Sequence, residues 1–188
     1  MASSERPPVP KTLQDSVDGT KVSYTQLGNS GLKVSIPILG AMSIGHKDWA
    51  SWVVDDEAEV EKLLQAAYDS GLNTWDTANI YSNGVSEEMI GRFIKKHNIP
   101  RQKLVLLTKC FGYVGEQPEA RGIEYLNEML VSKDYVNQGG LSRAAIFNAV
   151  EASLKRLQTD YIDLLQIHVS FPLFFLLPSL FLSICNTD

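Results

Sequence analysis

The sequence predicts an α/β fold built on parallel strands, and three observations carry that expectation. Short apolar runs alternate with amphipathic stretches of helical period. The helical stretches open on acidic or hydroxyl residues and close on glycine or on an Asn-Ile-Pro stop. Finally, 44% hydrophobic and 21% charged residues suit a core-forming chain rather than a disordered one. Alternation of strand and helix favours parallel strands joined by right-handed crossovers.

In chain order, residues 1–20 are rich in Ser, Pro and charge and read as a flexible tail. Two alternating runs, Val22–Leu27 and Leu32–Val34, flank Gly28-Asn29-Ser30-Gly31 and predict a β-hairpin. Ile36–Gly40 reads as a buried strand. Asp55 and Asp56 open a helix whose apolar face is Val60, Leu63, Leu64, Ala67 and Tyr68, closed by Gly71. Leu72–Asp76 is the next strand. Ser86 is expected to cap a second helix with Glu87 and Glu88 in its first turn; Met89, Ile90, Phe93 and Ile94 form its stripe, and Asn98-Ile99-Pro100 stops it. Lys103–Thr108 is a third strand. Cys110–Leu141 is a long connection with a short helix near Glu124–Val131. Ser142 caps a third helix with Ile146, Val150, Leu154 and Leu157 along one side, and Tyr161–Ile167 is a fourth strand.

The charge balance, 17 basic against 22 acidic residues, argues against a nucleic-acid partner, which needs a basic surface. Cys110 and Cys185 make neither a disulfide framework nor a metal spacing. With no apolar leader in the first residues, a reducing, cytoplasmic setting is the expectation.

The last segment has a different character. All 14 residues from Ser170 to Ser183 are Ser, Phe, Pro or Leu, and no charge appears over the 17 residues Val169–Cys185. As a membrane anchor the segment is at the short limit, interrupted by Pro172 and Pro178 and lacking a basic flank. As a buried element it lacks both periodicities. As translated intron it makes sense: these residue types have pyrimidine-rich codons, and Val169-Ser170 can be encoded by the splice-donor hexamer GTAAGT. Residues 169–188 are therefore expected to be intron read-through.

Three polar side chains follow the apolar runs directly: Asp76, Lys109 and His168. In a parallel barrel, such positions at the C-terminal strand ends form the active-site mouth. Tyr81 lies five residues past Asp76, in a loop that can return over that mouth. An unperturbed tyrosine is a weak acid with a pKa near ~10, and a neighbouring ammonium helps a phenol release its proton. Asp76 would fix the Lys109 ammonium. An imidazole can hold a carbonyl oxygen in line while charge develops on it. The set suits reduction of a carbonyl.

The stretches TWDTANIYSNGVSEEMIG (74–91), LVLLTKC (104–110) and ASLKRLQTDYIDLLQIH (152–168) closely resemble the aldo-keto reductase family, in particular its fungal aryl-alcohol dehydrogenase and versiconal hemiacetal acetate reductase branch. The resemblance implies a (β/α)8 TIM barrel that reduces small-molecule carbonyls with NADPH and without a metal. It further implies Tyr81 as proton donor, Asp76 and Lys109 as its tuning pair, and His168 as the group that orients the carbonyl. Gly40, Ala41, Met42 and Asp76 would lie near the nicotinamide. His46, Trp49 and Trp52 would line a substrate pocket. His97 reads as a solvated helix-end residue and Cys110 as structural.

The resemblance covers 23–168, so residues 21–168 are expected to be the N-terminal half of the barrel: about four strands, three helices and the hairpin. The barrel typically needs ~250 residues, and phosphate sites follow its seventh and eighth strands. Most of the NADPH site is thus expected in the second half, with this chain inactive alone and prone to aggregate through its open edges. Two alternatives remain: a non-catalytic half-barrel that binds a partner, and a tail-anchored protein. Substrate identity and oligomeric state stay open.

Overall fold

A computed structural model of the chain describes residues 6–169. The apolar segment read as intron or anchor falls outside these residues from Ser170 onward, as do Cys185 and residues 1–5.

A helix, α1 (Lys11–Gly19), precedes the hairpin and buries none of its residues; it lies where the sequence reading expects no element. Strands β1 (Ser23–Gln26) and β2 (Lys33–Ile36) pair antiparallel, as the turn between them dictates. Four strands then form one parallel sheet: β3 (Leu39–Gly40), β4 (Thr74–Asp76), β5 (Val105–Cys110) and β6 (Leu164–Ile167), in the order β3-β4-β5-β6. Helices α2 (Glu57–Asp69), α3 (Val85–Lys96) and α5 (Arg143–Leu157) fill the crossovers, and α4 (Leu126–Val131) lies within the long connection.

Asp56 and Ser142 cap α2 and α5 through their side chains, as expected. Ser86 does not cap α3. The cap is Gly84, at φ +99°, and Ser86 is buried inside the first turn. Leu63 also departs from its expected face: it is exposed while Val60, Leu64 and Ala67 are buried. Lys109 lies within β5 rather than beyond it, because β5 runs two residues further than its apolar run. β6 begins three residues later than expected.

The sheet separates two apolar layers. On the helix face, Trp75 and Leu106 pack with Val60, Leu64, Met89, Ile90, Phe93 and Leu157. On the other face, Val105 and Leu107 pack on Val34 of the hairpin, and Thr74 and Ser35 exchange hydrogen bonds. The hairpin thus closes the lower part of that inner face and leaves its C-terminal rim free. Helices α3 and α5 approach closely at Gly91, where a Cβ would come within 2.3 Å of the Arg156 carbonyl oxygen.

Candidate active site

Alternation along the strands decides which side chains reach the inner face. Asp76 shares the face of Thr74, and Lys109 that of Val105 and Leu107. The register sets Gly40 beside Asp76, Asp76 beside Leu107, and Lys109 beside Gln166. Four strands therefore bring Gly40, Asp76, Lys109 and Gln166 to one rim.

Tyr81 reaches that rim from the loop after β4. It opens a turn in which Ser82 and Asn83 take left-handed φ values of 50° and 51° before Gly84. Such values are costly for residues with a Cβ, and surrounding contacts hold them. The Ser82 hydroxyl accepts the His46 backbone N–H at 3.0 Å. The Asn83 amide donates to the carbonyls of Gln117, Pro118 and Ala120.

The Lys109 ammonium is the centre of the cluster. It donates to Asp76 Oδ2 at 2.6 Å, to the Thr77 carbonyl at 2.8 Å and to the Tyr81 hydroxyl at 3.2 Å. Its side chain is only 12% exposed, so this charge pair sits largely out of water. The other Asp76 oxygen accepts the Gln166 amide at 2.7 Å. Gln166 is not among the residues expected from sequence to act here, although its alternation with His168 places both on one face. The His168 ring stands edge-on to Tyr81, centroids 5.7 Å apart at 83°. Among the described residues its Nδ1 is buried without a hydrogen-bond partner. Burial, and next the Lys109 charge, push the His168 imidazole below its usual value, so it is neutral at pH 7. The four residues singled out as catalytic candidates, Asp76, Tyr81, Lys109 and His168, thus meet at one place.

The nicotinamide candidates divide. Gly40 and Met42 are exposed, Met42 by 45%, whereas Ala41 is fully buried in the helix-face core and cannot offer its side chain. Trp49 and Trp52 form an edge-to-face pair, 5.9 Å between centroids, in a cleft of about 460 Å³ shared with Lys47, Arg121 and Tyr125. None of the four rim residues lines that cleft, and neither does His46. His97 pairs with Glu61 at 2.9 Å. Cys110 is buried, and burial raises its thiol pKa.

The sequence profile of the Aldo/keto reductase family matches residues 38–180. An aldo-keto reductase of Fusarium vanettenii is 54% identical over 164 residues, 85% of this chain and 44% of that protein. Versiconal hemiacetal acetate reductase of Aspergillus parasiticus is 48% identical over 150 residues, 78% and 42% of the two chains. Among solved structures, the holo form of an aldo-keto reductase from Bacillus halodurans superposes with a TM-score of 0.60 at 31% identity, over 80% of this chain and 41% of that one. The chain spans less than half the length of the curated relatives it matches.

Proposed function

The chain belongs to the aldo/keto reductase family, and on that premise we propose that it carries the proton-transfer centre of an NADPH-dependent reductase of aldehydes or ketones. Residues 21–168 are read as the first half of an eight-stranded barrel, which a second half completes. The observation that supports this reading is the Lys109 ammonium held between Asp76, at 2.6 Å, and the Tyr81 hydroxyl, at 3.2 Å.

The residues present fit the nicotinamide end of the dinucleotide. Gly40 lies beside Asp76 in register, and none of the described residues stands within 4 Å of where its Cβ would be. Gly40, Met42 and Asp76 would hold that end, and the pyrophosphate and adenosine belong to the second half. NADPH supplies a hydride to the carbonyl carbon when bound.

Tyr81 gives its phenolic proton to the carbonyl oxygen. The ammonium of Lys109 steadies the phenolate that remains, a charge–charge contact made stronger by the scarcity of water around it. Asp76 and Gln166 keep that ammonium from swinging away. His168, neutral and with a ring nitrogen unpartnered among the described residues, offers a hydrogen bond that orients the carbonyl oxygen toward Tyr81.

The test is loss of NADPH absorbance with simple aromatic and aliphatic aldehydes. It is run on the 188-residue chain and on a form completed with a second half-barrel. Activity in the completed form, and none in the 188 residues alone, is the expected result. Absence of turnover in the completed form, with NADPH binding shown by tryptophan quenching, would refute the reading.

A further inference from the structure

We propose that the first turn of α3 is a positioning device for the Lys109–Tyr81 pair, with Glu87 at its centre acting through Thr108 and Arg156. The proposal rests on the reading of Tyr81 and Lys109 given above.

Thr108 and Lys109 are consecutive, so their side chains leave β5 on opposite faces. Lys109 enters the reactive rim. On the helix side, the Thr108 hydroxyl donates to Glu87 Oε1 at 2.5 Å. The second oxygen of Glu87 accepts Arg156 Nε at 2.7 Å, and Arg156 also donates to Ser153 Oγ at 3.3 Å. Glu87 is fully buried. A carboxylate there costs much to dehydrate, and packed apolar side chains of like volume generally give equal or better stability. What the charged pair adds is a fixed geometry.

That geometry reaches both members of the reacting pair. Toward Lys109 there are two routes. One is the peptide link from Thr108. The other starts at Ser86, also buried, whose hydroxyl donates to the Ala41 carbonyl at 2.9 Å and lies 3.1 Å from Thr77 Oγ1. Thr77 in turn offers its carbonyl to the Lys109 ammonium at 2.8 Å. Toward Tyr81, Arg156 lies over the end of the left-handed turn. A Cβ on Gly84 would come within 2.5 Å of Arg156 Cδ, so only glycine permits this approach. The Glu87–Arg156 pair therefore clamps the strand carrying the ammonium and the turn carrying the phenol to one helix.

The test reads the Lys109 ammonium by ¹H–¹⁵N correlation, its signal assigned by its loss in Lys109→Met. With three acceptors and little exposure, its protons exchange slowly and give a cross-peak in the unaltered protein. The cross-peak is expected to be lost in Thr108→Val and Glu87→Gln and kept in Thr108→Ser, which retains the hydroxyl. In the completed reductase, Thr108→Val is expected to lower kcat about 10- to 100-fold and to change KM less than about three-fold. Thr108→Ser restores kcat. A cross-peak and kcat unchanged in Thr108→Val, or a cross-peak missing from the unaltered protein, overturns the proposal. Should Glu87→Gln fail to fold, Thr108→Val decides the matter alone. The spectrum needs no turnover, so failure of the clamp is distinguishable from failure of the reductase reading.

Discussion

Strands β5 and β6 are both apolar in sequence, VLLTKC and LLQI, yet they stand in different surroundings. Five of the six residues of β5 are buried, and none of the four in β6. β5 has a strand on each side and helix α3 beneath it, whereas β6 ends the sheet among the described residues, with Leu165 and Ile167 exposed by 39% and 52%. Burial follows neighbours rather than composition. The candidate cluster straddles this boundary. Asp76, Tyr81 and Lys109 lie on the packed side, and Gln166 and His168 lie on the edge. The proposed proton-donating pair, Tyr81 and Lys109, thus sits against a packed core, whereas Gln166 and His168 sit at the less buried strand.

The largest contrast is expected in catalysis. In the completed reductase, Tyr81→Phe should lower kcat about 1,000-fold with NADPH affinity kept. His168→Gln on the edge should lower it about 10- to 100-fold. Equal losses at the two positions would remove the distinction between donor and orienting group.

Next comes stability. Leu106→Ala empties a fully enclosed site and should cost about 3 kcal/mol in denaturant unfolding, against less than about 1 kcal/mol for Ile167→Ala on the exposed edge. Similar costs would show that β6 is covered in solution. Hydrogen exchange offers a finer reading of the same boundary: β5 amides should exchange only on global opening, and β6 amides sooner by local opening.

The smallest effect is in pH. The folded His168 value lies below the unfolded 6.5. As pH falls below 6.5 the unfolded chain takes up a proton first, so this group's share of stability declines on acidification and is flat above. The His168 ring resonance should titrate below 6.5, and a midpoint at or above 6.5 would contradict its burial beside Lys109.

Much of this was legible in the sequence because it is local. Asp56 and Ser142 are caps by residue type, and strand parity alone puts Asp76 and Lys109 on their faces. What was not legible depends on partners far along the chain. Ser86 looks like a helix cap, but its hydroxyl is taken by Thr77 and the Ala41 carbonyl 45 residues away. Glu87 looks like a surface anion in a first turn, and only the fold brings Arg156 to it across 69 residues. Gln166 carried a signal in its alternation with His168, yet its bond to Asp76 spans 90 residues. At the left-handed turn only Asn83, followed by Gly84, carried a signal, because Asn tolerates positive φ better than most residues with a Cβ; Ser82 carried none.

The central claim, that Tyr81 and Lys109 act as one unit, is tested most directly by a double-mutant cycle on kcat in the completed reductase. Tyr81→Phe, Lys109→Met and the double variant are compared with the unaltered enzyme. A coupled pair should be strongly non-additive, the double variant losing little more than the worse single one. Losses that simply multiply would mean that the ammonium does not act through the phenol.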